Sequence, residues 1–209
     1  MFTILKQYEN KIIINKSIFI TYLFPVKNID EANQFLASIR KKHYDATHNC
    51  YAYIIGENQE IQKASDDGEP QKTAGAPMID VLKKQNLTNI LAITTRYFGG
   101  ILLGAGGLVR AYSSGVSEAL KLCDIYEYKN YQKISVTVSY SIYNNMESIL
   151  KDVKILDTLY TDTVTIYLGI DPNLVLEFKN KIQNISFGTA IISLYNIFQM
   201  EILVKHNES

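Results

Sequence analysis

The sequence predicts an α+β protein built from two modules. Three observations lead there: strand-like segments at period two interleave with helical segments at period 3.6, the composition is that of an ordinary globular chain, and the rhythm of elements changes near residue 128. With 209 residues, 47% of them hydrophobic and 20% charged, the chain can bury a core in each module. Formal net charge is zero, and the balance hides no opposed halves: 14 Lys and Arg face 13 Asp and Glu through Tyr128, and 7 face 8 after it. A protein that holds nucleic acid by gross charge carries a basic excess. Any such contact here must come from a local patch, and no DNA partner is predicted. Two cysteines, Cys50 and Cys123, are too few for a disulfide framework. No segment reaches about 18 consecutive apolar residues, and Met1–Lys11 has no basic stretch leading into an apolar one. The expectation is a cytoplasmic protein with no membrane partner.

Tyr8–Asn15 and Ser17–Val26, rich in Ile, Phe, Tyr and Thr, read as two strands joined by a tight turn at Asn15-Lys16. Asn28 or Asp30 caps a helix to about Lys42, because Ile29, Ala32, Phe35, Leu36 and Ile39 recur at helical spacing. Arg40, Lys41, Lys42 and His43 at its end suit the negative pole of the helix. Thr47–Ile55 is a strand whose alternation sets His48, Cys50, Ala52 and Ile54 on one face and Asn49, Tyr51, Tyr53 and Ile55 on the other. Ser65–Pro77 holds two Gly, two Pro and three acids, so it reads as a loop or a pair of turns. A helix follows over Pro77–Gln85, then an apolar strand over Ile90–Arg96. Next comes a glycine-dense stretch to Leu108, and then a helix to about Leu122 with Leu108, Tyr112, Val116, Ala119 and Leu120 inward.

Beyond Tyr131 the order is strand Lys133–Tyr140, helix Tyr143–Lys151, strands Val153–Tyr160 and Val164–Ile170, helix Pro172–Asn184 and strand Thr189–Met200. The sequence βαββαβ predicts a split βαβ sandwich of the ferredoxin type. A boundary near Glu127–Lys129 divides the chain into modules 1–128 and 129–209.

Three stretches carry polar chemistry. His48 and Cys50 share a strand face, so they read either as a nucleophile pair or as a small buried thiol beside a satisfied histidine. Ser65-Asp66-Asp67-Gly68-Glu69-Pro70 offers three carboxylates in four residues. These could ligate a hard cation or serve as acid–base groups, but Asp-Gly is also a turn former, and solvated turn acids are the simpler reading. Arg96-Tyr97-Phe98-Gly99-Gly100 through Gly104-Ala105-Gly106-Gly107 strips side chains from the backbone just ahead of a helix. Bare N–H groups at a helix N-terminus with an arginine leading in make an anion cradle. The competing reading is that the glycines permit tight packing. The run fails both as a P-loop and as a dinucleotide fingerprint, lacking the closing Lys-Ser/Thr and the third glycine.

The expected site therefore places Arg96, Lys72 and the backbone of Gly99, Gly100, Gly104, Gly106 and Gly107 on an anion. Tyr97 and Phe98 form a stacking surface, and His48, Asp66, Asp67, Glu69 and Thr73 shape the loops. No catalytic residue, metal or cofactor is assigned. The alternative is a metal-assisted hydrolase or transferase using Asp66, Asp67 and His48.

Taken in order, Lys16-Ser17-Ile18-Phe19-Ile20, Asp45-Ala46-Thr47-His48-Asn49-Cys50-Tyr51-Ala52, Ser65 to Pro70, Thr73-Ala74-Gly75-Ala76-Pro77 and Arg96 to Leu108 resemble the IMPACT/YigZ family. Asn49 stands where bacterial members usually carry a second His or another polar residue. The resemblance implies a first module similar to the second domain of ribosomal protein S5. It implies a closing ferredoxin-like module similar to domain V of elongation factor G, whose paired distal domains the two modules together resemble. It also implies a role near translation or its regulation, with no agreed reaction and with RNA, the ribosome or a regulatory protein as partner; a non-enzymatic binding module is the leading reading.

Overall fold

In a computed structural model that describes residues 1–151 and 153–205, the Asn15-Lys16 turn sets the register of the first sheet. Both residues take left-handed backbone, with φ of 45° and 64°, the geometry that matches the twist of a two-residue hairpin. Ile14 is thereby paired with Ser17, and strand β2 (Tyr8–Ile14) runs antiparallel to β3 (Ser17–Pro25). After the short strand β1 (Phe2–Thr3) and this hairpin come α1 (Ile29–Lys42), β4 (His48–Ile55), β5 (Ile61–Ser65), α2 (Gly75–Lys84), β6 (Ile90–Tyr97) and α3 (Gly104–Lys121). The sheet order is β2-β3-β6-β4-β5, antiparallel throughout.

Alternation along β3, β4 and β6 gives this sheet two apolar faces. Phe19, Leu23, Cys50, Ala52 and Ile54 pack with Met78 and Leu82 of α2 and with Tyr112 and Val116 of α3. Tyr22, Phe24, Tyr53, Ile55 and Leu91 pack with Ala32, Leu36 and Ile39 of α1. Each fully buried large side chain stabilises the fold by roughly 1.5–3 kcal/mol. Helix α1 begins where Asn28 accepts the Glu31 N–H on its side-chain oxygen at 2.9 Å, while Glu31 reaches back to the Lys27 N–H at 2.7 Å.

Two compact units divide the chain, one comprising Met1–Tyr128 with the segment from Glu201, the other Lys129–Met200. The second contains most of β7 (Ile125–Val138), then α4 (Tyr140–Tyr143), α5 (Glu147–Leu150), β8 (Lys154–Tyr160), β9 (Val164–Ile170), a 3-10 turn over Pro172–Leu174, α6 (Val175–Ile185) and most of β10 (Ile191–Lys205). Strand order is β10-β7-β9-β8. Ile134, Val136, Val138, Ile166 and Leu168 form one face of the sheet and pack on Met146, Phe178 and Ile182.

Several elements depart from the sequence reading. The edge strand β5 is exposed over Ile61–Ala64, so Ile61-Gln62-Lys63-Ala64-Ser65 carries no alternation to announce it. Strand β7 passes through the Glu127–Lys129 boundary without a loop. The helix expected over Tyr143–Lys151 is two short turns, broken around Asn144-Asn145, where the Met146 side chain is fully buried. Asparagine's side chain competes for backbone hydrogen bonds and weakens a helix interior. The second unit stops at Met200 rather than 209; Val204 and Lys205 line a hollow with Phe2, Leu87 and Ile125 of the first unit. Residues 206–209 of the expected module lie outside the described residues. No described helix is long and apolar enough to cross a membrane.

Candidate functional site

Strands β4 and β6 pair His48 directly with Arg96, so both side chains leave the same face of the sheet. The loop from Ser65 folds over them. Its anchor is Asp66, whose Oδ1 accepts the N–H groups of Ala74 (3.0 Å) and Gly75 (2.9 Å) and whose Oδ2 accepts that of Lys72 (2.8 Å). Helix α2 has no side-chain cap of its own, so Asp66 satisfies donors at its N-terminus from a distance. Partial burial raises the proton affinity of the Asp66 carboxyl, but the three N–H bonds outweigh it and hold the group below the usual carboxylate value. Asp67 accepts the Asn49 N–H (2.7 Å) and Arg40 Nη2 (2.6 Å). The Asp67 carbonyl oxygen lies 2.8 Å from His48 Nδ1, which must therefore carry the hydrogen. Thr73 donates to the Pro70 carbonyl at 2.6 Å and holds the turn between them.

This loop delivers Glu69 to the centre. Glu69 Oε1 accepts both Arg96 Nη1 and the Tyr112 hydroxyl at 2.7 Å, and its Oε2 lies 3.8 Å from His48 Nε2. The Glu69 and Arg96 side chains are only 2% and 6% exposed. The guanidinium lies between the rings of Phe19 and Phe98, at 5.4 and 5.5 Å. Its Nη2 reaches Ser17 Oγ at 3.4 Å, while Nε is buried without a partner among the described residues. Beside this group is a cavity of about 340 Å³ lined by Thr47, His48, Glu69, Pro70, Arg96 and Phe98, and by Leu102 to Ala105 with Leu108 at the start of α3. Helix α3 also lacks a side-chain cap, and no acid stands in its first turn. Its first amides lack intrahelical partners.

The structure separates residues that the sequence grouped. Tyr97 follows Arg96 in a strand and so faces the other side of the sheet, where its ring meets His43. Lys72 lines a different hollow with Asp80, Lys84 and Ser113. Two amides of the glycine-rich run are already taken: Phe98 N–H donates to Thr47 Oγ1 and Gly99 N–H to Ser17 Oγ, both at 3.1 Å. Gly99 is a packing glycine, since a Cβ there would lie 2.0 Å from the Lys16 carbonyl carbon. Gly104 takes a φ of +68° at the start of α3 and lines the cavity, whereas Gly100 stands in open space. Gly106 and Gly107 belong to the first turn of α3, not to a preceding loop.

Burial pushes the Cys50 thiol up to about 12, and its Sγ donates to the Asp66 carbonyl oxygen at 2.9 Å. The thiolate a nucleophile needs is therefore suppressed. The oxygens of Asp66 and Asp67 accept N–H donors and Arg40, so both acids brace the loop. Tyr112 went unread as a polar contributor because it sits in an apolar helical stripe. The one available signal was that a buried tyrosine hydroxyl requires a partner.

On the opposite face lies a second network. Lys42 Nζ donates to the Tyr22 hydroxyl (3.1 Å), which is 2.7 Å from His43 Nε2, and His43 Nδ1 is 2.9 Å from the Tyr97 hydroxyl, itself a donor to Asp45 (3.1 Å). With Tyr97 donating to Asp45, its oxygen accepts from Nδ1, and Nε2 accepts from Tyr22. The ring is thus held neutral. Burial and then the Lys42 charge lower its pKa below the ordinary 6.5, against smaller opposing effects of Glu9 and Asp45. The unfolded chain binds the proton more readily, so this contribution to stability is complete above about pH 7 and declines as pH falls below the ordinary 6.5. Thermal melts across that range should show the decline, and His43→Gln should flatten it.

These features define a mixed α/β chain of two units with antiparallel sheets and a buried ion pair beside a cavity in the first. The family model described as the Impact N-terminal domain matches residues 15–120, a span that contains every residue lining the cavity. IMPACT family member YvyE of Bacillus subtilis (strain 168) is 40% identical over 207 residues, covering 98% of this chain and 95% of its own. IMPACT family member YigZ of Escherichia coli (strain K12) is 36% identical over 180 residues, covering 84% and 88%. Among solved structures, the crystal structure of a hypothetical protein is similar at a TM-score of 0.59 and 32% identity, covering 93% of this chain and 97% of that one. The chain belongs to the IMPACT family.

Proposed function

We propose that this IMPACT-family chain is a non-enzymatic, cytoplasmic binding protein working near translation, and that it holds RNA phosphate in the cavity at the N-terminus of α3. The observation that carries this reading is the Arg96 Nε–H, buried with no partner among the described residues, in a side chain that lines the cavity. A buried donor without an acceptor calls for an explanation. An entering anion would supply the acceptor and meet the uncapped amides of α3 as well. In the same proposal the first module is S5 domain 2-like and the second ferredoxin-like; the strand order β10-β7-β9-β8 is in keeping with the latter.

Filter binding of structured RNA and ribosomal subunits tests this, comparing wild type with Ala105→Asp over a salt series. Ala105 is exposed and lines the cavity, and an acid in a first helical turn stabilises the helix by about 0.3–1 kcal/mol. The variant should melt no lower than wild type yet bind at least about tenfold more weakly, while wild-type affinity falls steeply with salt. Equal binding by both proteins, or none by either, removes the reading. Leu102, 85% exposed at the rim, favours a second reading in which a partner protein's apolar side chain fills the cavity. In that case binding would be nearly insensitive to salt.

A further inference from the structure

The second unit's sheet buries one face, through Ile134 and Val136 of β7 and Ile166 and Leu168 of β9. The other face carries an arrangement that the first unit's cavity does not explain. Register pairs Lys133 with Gly169 and Ser135 with Tyr167 across β7 and β9, and Gly169 with Lys154 across β8. These side chains therefore share the side opposite the core. Strand β10 adds Tyr195, whose ring centroid is 6.3 Å from that of Tyr167. Phe198 packs on Tyr131 at 6.1 Å, directly over Gly169, where a Cβ would come within 3.1 Å of the Phe198 ring. Tyr195 is 45% exposed, and the other three rings are half-buried.

Between the two ring pairs stands Lys133. Its ammonium lies over both Tyr167 and Tyr195, at 5.5 and 5.7 Å, and it joins none of the ion pairs found among the described residues. Lys154 follows in the same row. An acid on this side, Asp157, lies opposite Tyr167 on the edge strand. Aromatic rings on an open sheet with a cation held between them match the chemistry of a single-stranded nucleic acid, whose bases expose π-faces and whose backbone carries one negative charge per nucleotide. A duplex hides those faces in its stack.

We propose that this face is a stacking platform for single-stranded RNA, with bases on Tyr167 and Tyr195 and backbone phosphate on Lys133. Only the choice of RNA over DNA rests on the function proposed above.

Fluorescence anisotropy of the full-length chain with an end-labelled, unstructured ten-nucleotide RNA is the test. Wild type should bind it more tightly than a duplex of the same length. Tyr195→Ala should weaken binding roughly fivefold to a hundredfold, the range seen when one stacking ring is removed, whereas Tyr195→Phe should keep most of it. Lys133→Gln should make log affinity about 0.7 less steep in log salt, the share of one single-strand phosphate contact. Melting curves of the variants exclude unfolding as the cause. No binding of the short strand, equal binding of the duplex, or indifference to Tyr195→Ala overturns the proposal. Structured RNA that binds and responds to Ala105→Asp while the short strand does not bind would sink the platform and leave the cavity reading standing; the converse result would do the reverse.

Discussion

Arg96→Met is expected to destabilise the first unit by about 3–5 kcal/mol, the cost of leaving a buried charge without its partner. The substitution keeps a long side chain between Phe19 and Phe98, so packing is largely preserved and the charge is what changes. Glu69, 2% exposed, would keep the Tyr112 hydroxyl as its close donor, with His48 Nε2 at 3.8 Å. A neutral hydroxyl does not offset the desolvation of a carboxylate. Adding Glu69→Gln to Arg96→Met removes the stranded charge and should recover a large part of the loss. Urea unfolding of both single variants and the double gives the coupling between the two positions. A coupling below about 1 kcal/mol, the level typical of an exposed pair, would mean that the ion pair is solvated in solution and not the buried centre described above. For the same reason Arg96→Ala is a poor probe of binding, because it removes a structural charge together with any ligand contact.

Asp66→Ala is expected to cost about 3 kcal/mol and to loosen residues 66–75 selectively. One carboxylate accepts three backbone N–H groups, and hydrogen bonds to a charged acceptor contribute about 1.5–3 kcal/mol each before water replaces some of them at this partly exposed site. Asp66→Asn should recover part of the loss, since its amide oxygen can take the place of Oδ1 and accept the Ala74 and Gly75 N–H groups. Asp67→Ala should cost less, because it loses one backbone bond and an ion pair with the half-exposed Arg40. Amide exchange distinguishes these outcomes: Lys72, Ala74 and Gly75 should lose protection in Asp66→Ala and not in Asp67→Ala. The depressed proton affinity of Asp66 gives the same contribution a pH signature. It is complete above the usual carboxylate value near 3.8 and is lost as pH falls below it.

The elements that the sequence disclosed share one property: their packing pattern repeats within a few residues. The two faces of Thr47–Ile55 separate in the structure as alternation requires, with Cys50, Ala52 and Ile54 in one core and Tyr53 and Ile55 in the other. The Asn28 cap and the buried positions Leu108, Tyr112, Val116, Ala119 and Leu120 of α3 follow in the same way. Strand β5 was illegible because an exposed edge imposes no periodicity, and the break at Asn144-Asn145 was obscured by apolar residues on both sides. Tyr97 was grouped with Phe98 because they are adjacent in sequence, although neighbouring residues in a strand point to opposite faces.

By itself the sequence determined which segments become strands and helices, which of their faces turn inward, and, through motifs spread from Lys16 to Leu108, membership of the IMPACT family. All of these are written in residue type at short range. Only the tertiary structure decided that Glu69 accepts from both Arg96 and Tyr112, that Asp66 caps a helix beginning nine positions later, and that Lys133 lies over two tyrosines from other strands. Such partners lie far apart along the chain and meet only when strand register and loop closure bring them together. The energy of a buried charge depends on that meeting, and no local pattern encodes it.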